Sequence, residues 1–204
     1  DLLWNLTWRD LRVRYKQSLL GVGWAILLPL SMMLVFTFVF TRAIKAEAFA
    51  PIGMPYALYA YTGLVPWTFF SGGLTSSINS LVANRSLITK IYFPREVFPM
   101  SAIASTFVDF CIAMVVLVAL MGYFHFQDTW GCQILAAVLF VPALVLVQIT
   151  LMVGLGMMLS MANLFYRDVR PVFTVVVQLW MFISCVVVPV PDDGTALGRW
   201  IAAN

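Results

Sequence analysis

Ile134-Leu-Ala-Ala-Val-Leu-Phe-Val-Pro-Ala-Leu-Val-Leu-Val-Gln-Ile-Thr-Leu-Met-Val-Gly-Leu-Gly-Met-Met-Leu-Ser-Met161 runs on without one charged side chain. As a helix it would rise about 42 Å, enough to cross the roughly 30 Å of hydrocarbon in a bilayer. Four more runs of this kind flank it. Gly21 to Thr41 contains Pro29, and Tyr56 to Val82 carries Gly63, Pro66, Gly72 and Gly73. Met100 to Phe124 holds a single acid, Asp109, and Val172 to Val190 closes the series. The pattern predicts an all-α membrane protein with five transmembrane helices, the second kinked near Gly63 to Pro66.

Composition agrees with the runs. Hydrophobic residues make up 62% of the chain and charged ones 10%, with a mean hydropathy of +0.95, which a soluble domain has no means of covering. Cys111, Cys132 and Cys185 lie in or beside apolar runs without metal-ligand spacing, which supports neither a disulfide framework nor a zinc site. With no repeat and no low-complexity tract, residues 1–204 read as one membrane domain. It divides into a basic amino-terminal helix (1–20), the spans (21–190) and a closing segment (191–204) with Leu197, Trp200 and Ile201 against Asp192, Asp193 and Arg199. The chain begins with Asp and ends soon after the polar turn Pro191 to Gly194, so a sixth span is expected to complete it.

The net charge of +3 is a matter of topology rather than of an acidic partner. Nine Lys and Arg residues fall before the first run (Arg9, Arg12, Arg14, Lys16), between the second and third (Arg85, Lys90, Arg95) and between the fourth and fifth (Arg167, Arg170). Three, Arg42, Lys45 and Arg199, fall on the other side. Retention of positive loops predicts a cytoplasmic amino terminus, with both basic loops on the same side.

Two segments outside the runs have helical pattern. Trp4, Trp8, Leu11 and Tyr15 recur at i, i+4, i+7 and i+11, with Arg9, Arg12 and Lys16 turned away, which predicts an amphipathic interface helix. It reads either as a simple anchor among headgroups or as the frame of a docking surface. In the loop from Asn84 to Pro99, Leu87, Ile88, Ile91 and Tyr92 share one face of a short helix that Pro94 would stop. A solvated loop has no need of that apolar face. It suits a groove on a partner or, alternatively, the headgroup layer.

Trp8-Arg-Asp-Leu-Arg-Val-Arg-Tyr-Lys-Gln-Ser-Leu-Leu-Gly21 leads into Trp24 and Pro29, and Gly63-Leu-Val-Pro-Trp-Thr-Phe-Phe70 follows in the second run. Asn84, Leu87-Ile-Thr-Lys90, Phe93-Pro-Arg-Glu96 and Asn163-Leu-Phe-Tyr-Arg-Asp168 come after, each between spans of fitting length. In this order the chain resembles the ABC-2 type permeases of polysaccharide, O-antigen and teichoic acid exporters. That resemblance implies six spans, a homodimer and two separate ATP-binding subunits. It assigns a cytoplasmic coupling helix entering a cleft on the ATPase to Leu87, Ile88, Lys90, Ile91, Tyr92 and Phe93, with Arg95 and Glu96 behind it. It also sets the interface helix (Trp4, Trp8, Arg9, Arg12, Tyr15, Lys16) beside it, and makes 191–204 an outer gate.

The residues themselves fit a division of labour. No G-x-x-x-x-G-K-[ST] loop occurs, and Lys16, Lys45 and Lys90 lack the required glycines, so ATP and Mg are expected on the partner subunit, with no cofactor in this chain. Ion-driven transport would need intramembrane ionisable groups, for which Asp109 is the one clear candidate; a helix-packing polar group near the interface is the favoured reading of it. Phe, Tyr and Trp make up 15% of the chain, and aromatic rings stack on sugar faces. Tyr56, Tyr59, Tyr61, Trp67, Phe69 and Phe70 are therefore candidates for a translocation path, with lipid contact as the alternative for each. Gly72, Gly73, Ser76, Ser77 and Ser80 form a small-residue face for packing within the bundle or at a dimer seam. The expected function is the permease subunit, itself no enzyme, of an ATP-driven exporter of lipid-linked polysaccharide in a bacterial inner membrane. Its expected partners are the ATPase, a second copy, membrane lipids and the substrate, and not nucleic acid. An exporter of a drug or other small hydrophobic molecule, or a non-transporting scaffold, is the alternative.

Overall fold

A computed structural model describes residues 2–16, 23–43, 55–85, 94–126, 134–184 and 186. Among these, every regular element is a helix: α1 (Leu2–Lys16), α2 (Gly23–Ala43), α3 (Tyr56–Ala83), α4 (Val97–Phe126), α5 (Ile134–Phe165) and α6 (Val169–Ile183). The apolar runs read from sequence match α2 to α6 within a few residues at most ends, and α3 is one continuous helix through Pro66. Residues 87–93 of the coupling segment, Cys132, Cys185 and the closing segment 191–204 lie outside the described residues.

α3 is the axis of the bundle. Leu58, Ala60, Tyr61, Leu64, Leu74 and Ile78 are wholly buried on it, and α2, α4, α5 and α6 all pack against it. Its neighbours alternate in direction. Leu81 meets Phe98, Phe69 stacks on Phe110 at 4.7 Å, and the Tyr61 hydroxyl donates to the Ala113 carbonyl at 3.4 Å, so α4 runs antiparallel to α3. Gln148 Nε2 donates to the Pro66 carbonyl at 2.8 Å and Asn163 Nδ2 to the Ile78 carbonyl at 3.0 Å, so α5 runs parallel to it.

These contacts make sense only in an apolar solvent. Lipid tails are as apolar as leucine, so helix association rests on close packing and interhelical hydrogen bonds rather than on removing hydrophobic surface from water. Accordingly, small and hydroxylated residues sit at the helix crossings, while many bulky aliphatic ones remain on the outside. A Cβ added to Gly156 would stand 2.6 Å from Ser77 Oγ, which shows how closely α5 approaches α3. By contrast, Val115 is 70% exposed, Val147 66% and Ile183 78%. Hydroxyls inside return their hydrogen to the preceding turn: Thr75 to the Ser71 carbonyl at 2.7 Å, Ser105 to Ala102 at 2.8 Å and Thr106 to Ile103 at 2.8 Å. The apolar parts of α4 (Val97–His125) and α5 (Phe140–Phe165) are long enough to cross a membrane; Gly23–Val39 and Val169–Ile183 are shorter apolar helices. The protein is a helical membrane protein.

Candidate functional site

The ends of α3 and α5 and the beginning of α4 meet at one pole of the bundle, and α1 joins them there. Leu6 and Thr7, not the tryptophans, turn inward: Leu6 packs with Leu81, Phe98 and Val97. Trp4 and Trp8 stack on each other at 6.2 Å and are 67% and 52% exposed. The amphipathic stripe read from sequence is therefore split, its lower rings facing outward and Tyr15 inward. Arg9 also turns toward the bundle. Its guanidinium donates to Asp10 Oδ1 at 2.9 Å and, from the same Nη2, to Asn84 Oδ1 at 2.9 Å, while Asn84 Nδ2 donates to the Ser80 carbonyl at 2.9 Å and caps α3. Arg12 and Lys16 are exposed, as the periodicity requires.

From that pole α1 climbs beside α4. Leu6 touches Phe98, whereas Arg14 Nη1 donates to Asp109 Oδ2 at 2.6 Å and the Tyr15 hydroxyl donates to Asp109 Oδ1. The contacts advance along both helices in the same direction, over about 13 Å of α1 and about 16 Å of α4. Burial, and after it the Asp109 carboxylate, push the Tyr15 phenol up and keep it a donor. Asp109, read from sequence as a packing group, is satisfied in that way by two side chains of α1.

Below this contact, Arg14, Trp24, Pro29, Phe69, Gly72 and Asp109 help to line a cavity of about 300 Å³ between α1, α2, α3 and α4. A second cavity, of about 740 Å³, opens at the pole. Its walls are Leu81, the turn Pro94-Arg95-Glu96 and Met157, Met158 and Met161 of α5, so Arg95 and Glu96 line a methionine-rich hollow.

The aromatic residues of α3 separate into two groups. Tyr56, Tyr61, Phe69 and Phe70 are core residues, Phe69 stacked on Phe110 and tilted against Phe107 of α4. Tyr59 is half-buried and sits 6.2 Å from Tyr56. Trp67 and Phe70 turn instead toward α6, where Trp180 meets them edge-on at 6.4 and 5.7 Å. Trp180 is the residue that sequence reading missed; its spacing from Val177 on an apolar helix carries no sign of a partner on α3. Ser77 and Thr37 hold buried hydroxyls without a hydrogen-bond partner, and among the described residues no group of three His, Cys, Asp or Glu side chains gathers.

The O-antigen export system permease protein RfbA of Klebsiella pneumoniae is 29% identical over 187 residues, 89% of this chain and 66% of that protein. The protein of the same name from Myxococcus xanthus is 29% identical over 206 residues, 100% of this chain and 75% of that protein. The polysialic acid transport protein KpsM of Escherichia coli is 24% identical over 183 residues, 89% of this chain and 67% of that protein. The chain thus spans between 66% and 75% of the length of these curated relatives. A family model described as ABC-2 type transporter matches residues 1–203, so this bundle of apolar helices belongs to the ABC-2 type transporter family.

Proposed function

We propose that this chain is the permease subunit of an ATP-driven exporter of lipid-linked polysaccharide, working in a bacterial inner membrane with two ATP-binding subunits and a second copy of itself. The observation that carries this reading is the similarity over 89% to 100% of the chain to permeases named for O-antigen export. All five helices α2 to α6 cross the membrane in this reading, with α1 at the cytoplasmic interface beside the coupling segment. ATP and Mg belong to the partner; its strokes reach the permease through Leu87, Ile88, Lys90, Ile91, Tyr92 and Phe93, which in the sequence directly precede Pro94, Arg95 and Glu96. The hydrogen bond from Arg9 to Asn84 supports the placement of α1 beside that segment, because Asn84 is where the segment departs from α3.

The test uses the native exporter in its own cells. Removing the permease should leave lipid-linked polysaccharide on the inner leaflet, and restoring it should return polysaccharide to the surface. Ile88→Asp and Tyr92→Asp would set an unpaired charge in an apolar groove, at several kcal/mol, enough to weaken ATPase binding about a hundredfold. Both variants should reach normal abundance yet lose ATPase copurification and export, while Ser86→Asp and Thr89→Asp do much less. Surface polysaccharide that persists without the permease refutes the substrate class; full ATPase association in Ile88→Asp and Tyr92→Asp refutes the coupling segment.

A further inference from the structure

α1 is fastened at two heights. At the pole, Arg9 bonds to Asn84 at 2.9 Å, and Leu6 packs with Leu81 and Phe98. Higher up, Arg14 and Tyr15 both donate to Asp109. Asp109 lies about 18 Å along α4 from its first residue, in the most apolar part of the sequence that still carries an acid. A carboxylate there is unfavourable unless it is paired, and among the described residues its side-chain partners both come from α1. Between the two attachments α1 is a single uninterrupted helix, Leu2–Lys16, stiff enough to move as one body.

We propose that Asp109 is a positioning residue for energy coupling: it clamps α1 to α4, so that α1 carries movement of the coupling segment at Asn84 to the level of Asp109. The inference rests on the reading of residues 87–93 as the coupling segment. Under it, Arg9 and Asn84 form the input end of a lever, Arg14, Tyr15 and Asp109 form its output end, and α4 shifts with α1 rather than being pushed separately by the loop. Arg14 and Asp109 of the output end themselves line the cavity of about 300 Å³, so movement there alters the space between α2, α3 and α4.

Breaking the clamp should leave the motor running and disconnect it from transport. In the full complex with its ATPase, Asp109→Ala should assemble and hydrolyse ATP at close to the normal rate, with polysaccharide exported per ATP hydrolysed lower by about tenfold. Asp109→Asn, which keeps the volume and loses the charge, should fall less, and it replaces the alanine variant where that variant does not accumulate. Arg14→Asp should match Asp109→Ala, and combining Arg14→Asp with Asp109→Arg should recover a substantial part of export. A merely structural role predicts something else: abundance, hydrolysis and export decline together, and the exchanged pair restores nothing. Either that pattern or wild-type export per ATP in Asp109→Asn and Arg14→Asp overturns the clamp. Loss of ATPase copurification in Ile88→Asp bears on the coupling segment alone, so the two readings fail by different measurements.

Discussion

Glycines 72 and 156 show how the same residue type performs opposite tasks in one bundle. A Cβ on Gly156 would meet Ser77 Oγ at 2.6 Å, Ser77 Cβ at 3.2 Å and Ile103 Cδ1 at 3.3 Å, whereas one on Gly72 would meet nothing within 4 Å. Gly156→Ala therefore overpacks the crossing of α5 with α3 and α4, a penalty of about 1–3 kcal/mol. Gly72→Ala projects into the cavity beneath α1 and should be neutral or slightly stabilising, by up to about 1 kcal/mol from helix propensity. Melting of the purified protein in detergent checks both, and equal transitions for the two variants would contradict the packing at Gly156. The small-residue face of α3 was visible in sequence, but its division was not. Gly73, Ser77 and Ser80 go inward while Gly72 and Ser76 line the cavity, because the division depends on which neighbour lies on each side. The same limit hid the pairing of Asp109 with Arg14, 95 positions apart.

At the scale of elements, α1 shows why amphipathic reasoning loses its sign near a bilayer. In water the largest apolar rings mark the buried face, yet lipid accepts them as readily as protein does. Here Trp4 and Trp8 point outward, and the smaller Leu6 and Thr7 make the close contact. Long uncharged runs, by contrast, were legible as helices, and those of α4 and α5 as lengths that can cross hydrocarbon, since that length does not depend on neighbours. The contact of α3 with α6 bears on the expected translocation path. Trp67 and Phe70 both meet Trp180 edge-on; Trp180 is 44% exposed, whereas Phe70, like Tyr61 and Phe69, is buried in the core. We take Trp67, Phe70 and Trp180 as the wall of the polysaccharide path, where sugar faces stack on rings. Trp67→Ala, Phe70→Ala and Trp180→Ala should each reduce export per folded molecule several-fold, at about 1–3 kcal/mol per lost stacking contact, by analogy with bases on aromatic platforms. ATPase association should stay normal. Export at the wild-type level in all three would return these rings to lipid contact and packing.

For the whole molecule, the alternating directions of α3, α4 and α5 gather chain ends at one pole, and the charges follow. Asn84 lies at the end of α3, Pro94 to Glu96 just before α4, and Asn163 close to the end of α5; Arg85, Arg95, Arg167 and Arg170 are all within a few residues of these points. Arg9 is bonded at the same pole. Arg9, Arg85, Arg95, Arg167 and Arg170 thus give this pole a basic character, and in the proposed reading retention of positive segments puts it on the cytoplasmic side. In that reading the connection between α4 and α5, which includes Cys132 in the sequence, is expected on the exported side. Cys111, by contrast, lies two residues beyond Asp109 within α4 and is exposed on the lipid-facing surface of the bundle. In intact cells, with the outer barrier made permeable, a membrane-impermeant maleimide should therefore modify Cys132 and leave Cys111 unmodified, since hydrocarbon excludes the charged reagent. Replacing Cys132 with Ser should abolish labelling, and opening the inner membrane should add little. Labelling of Cys132 only after the inner membrane is opened would reverse the orientation; the basic pole, and with it the coupling segment, would then lie on the side where no ATP-binding subunit can reach it.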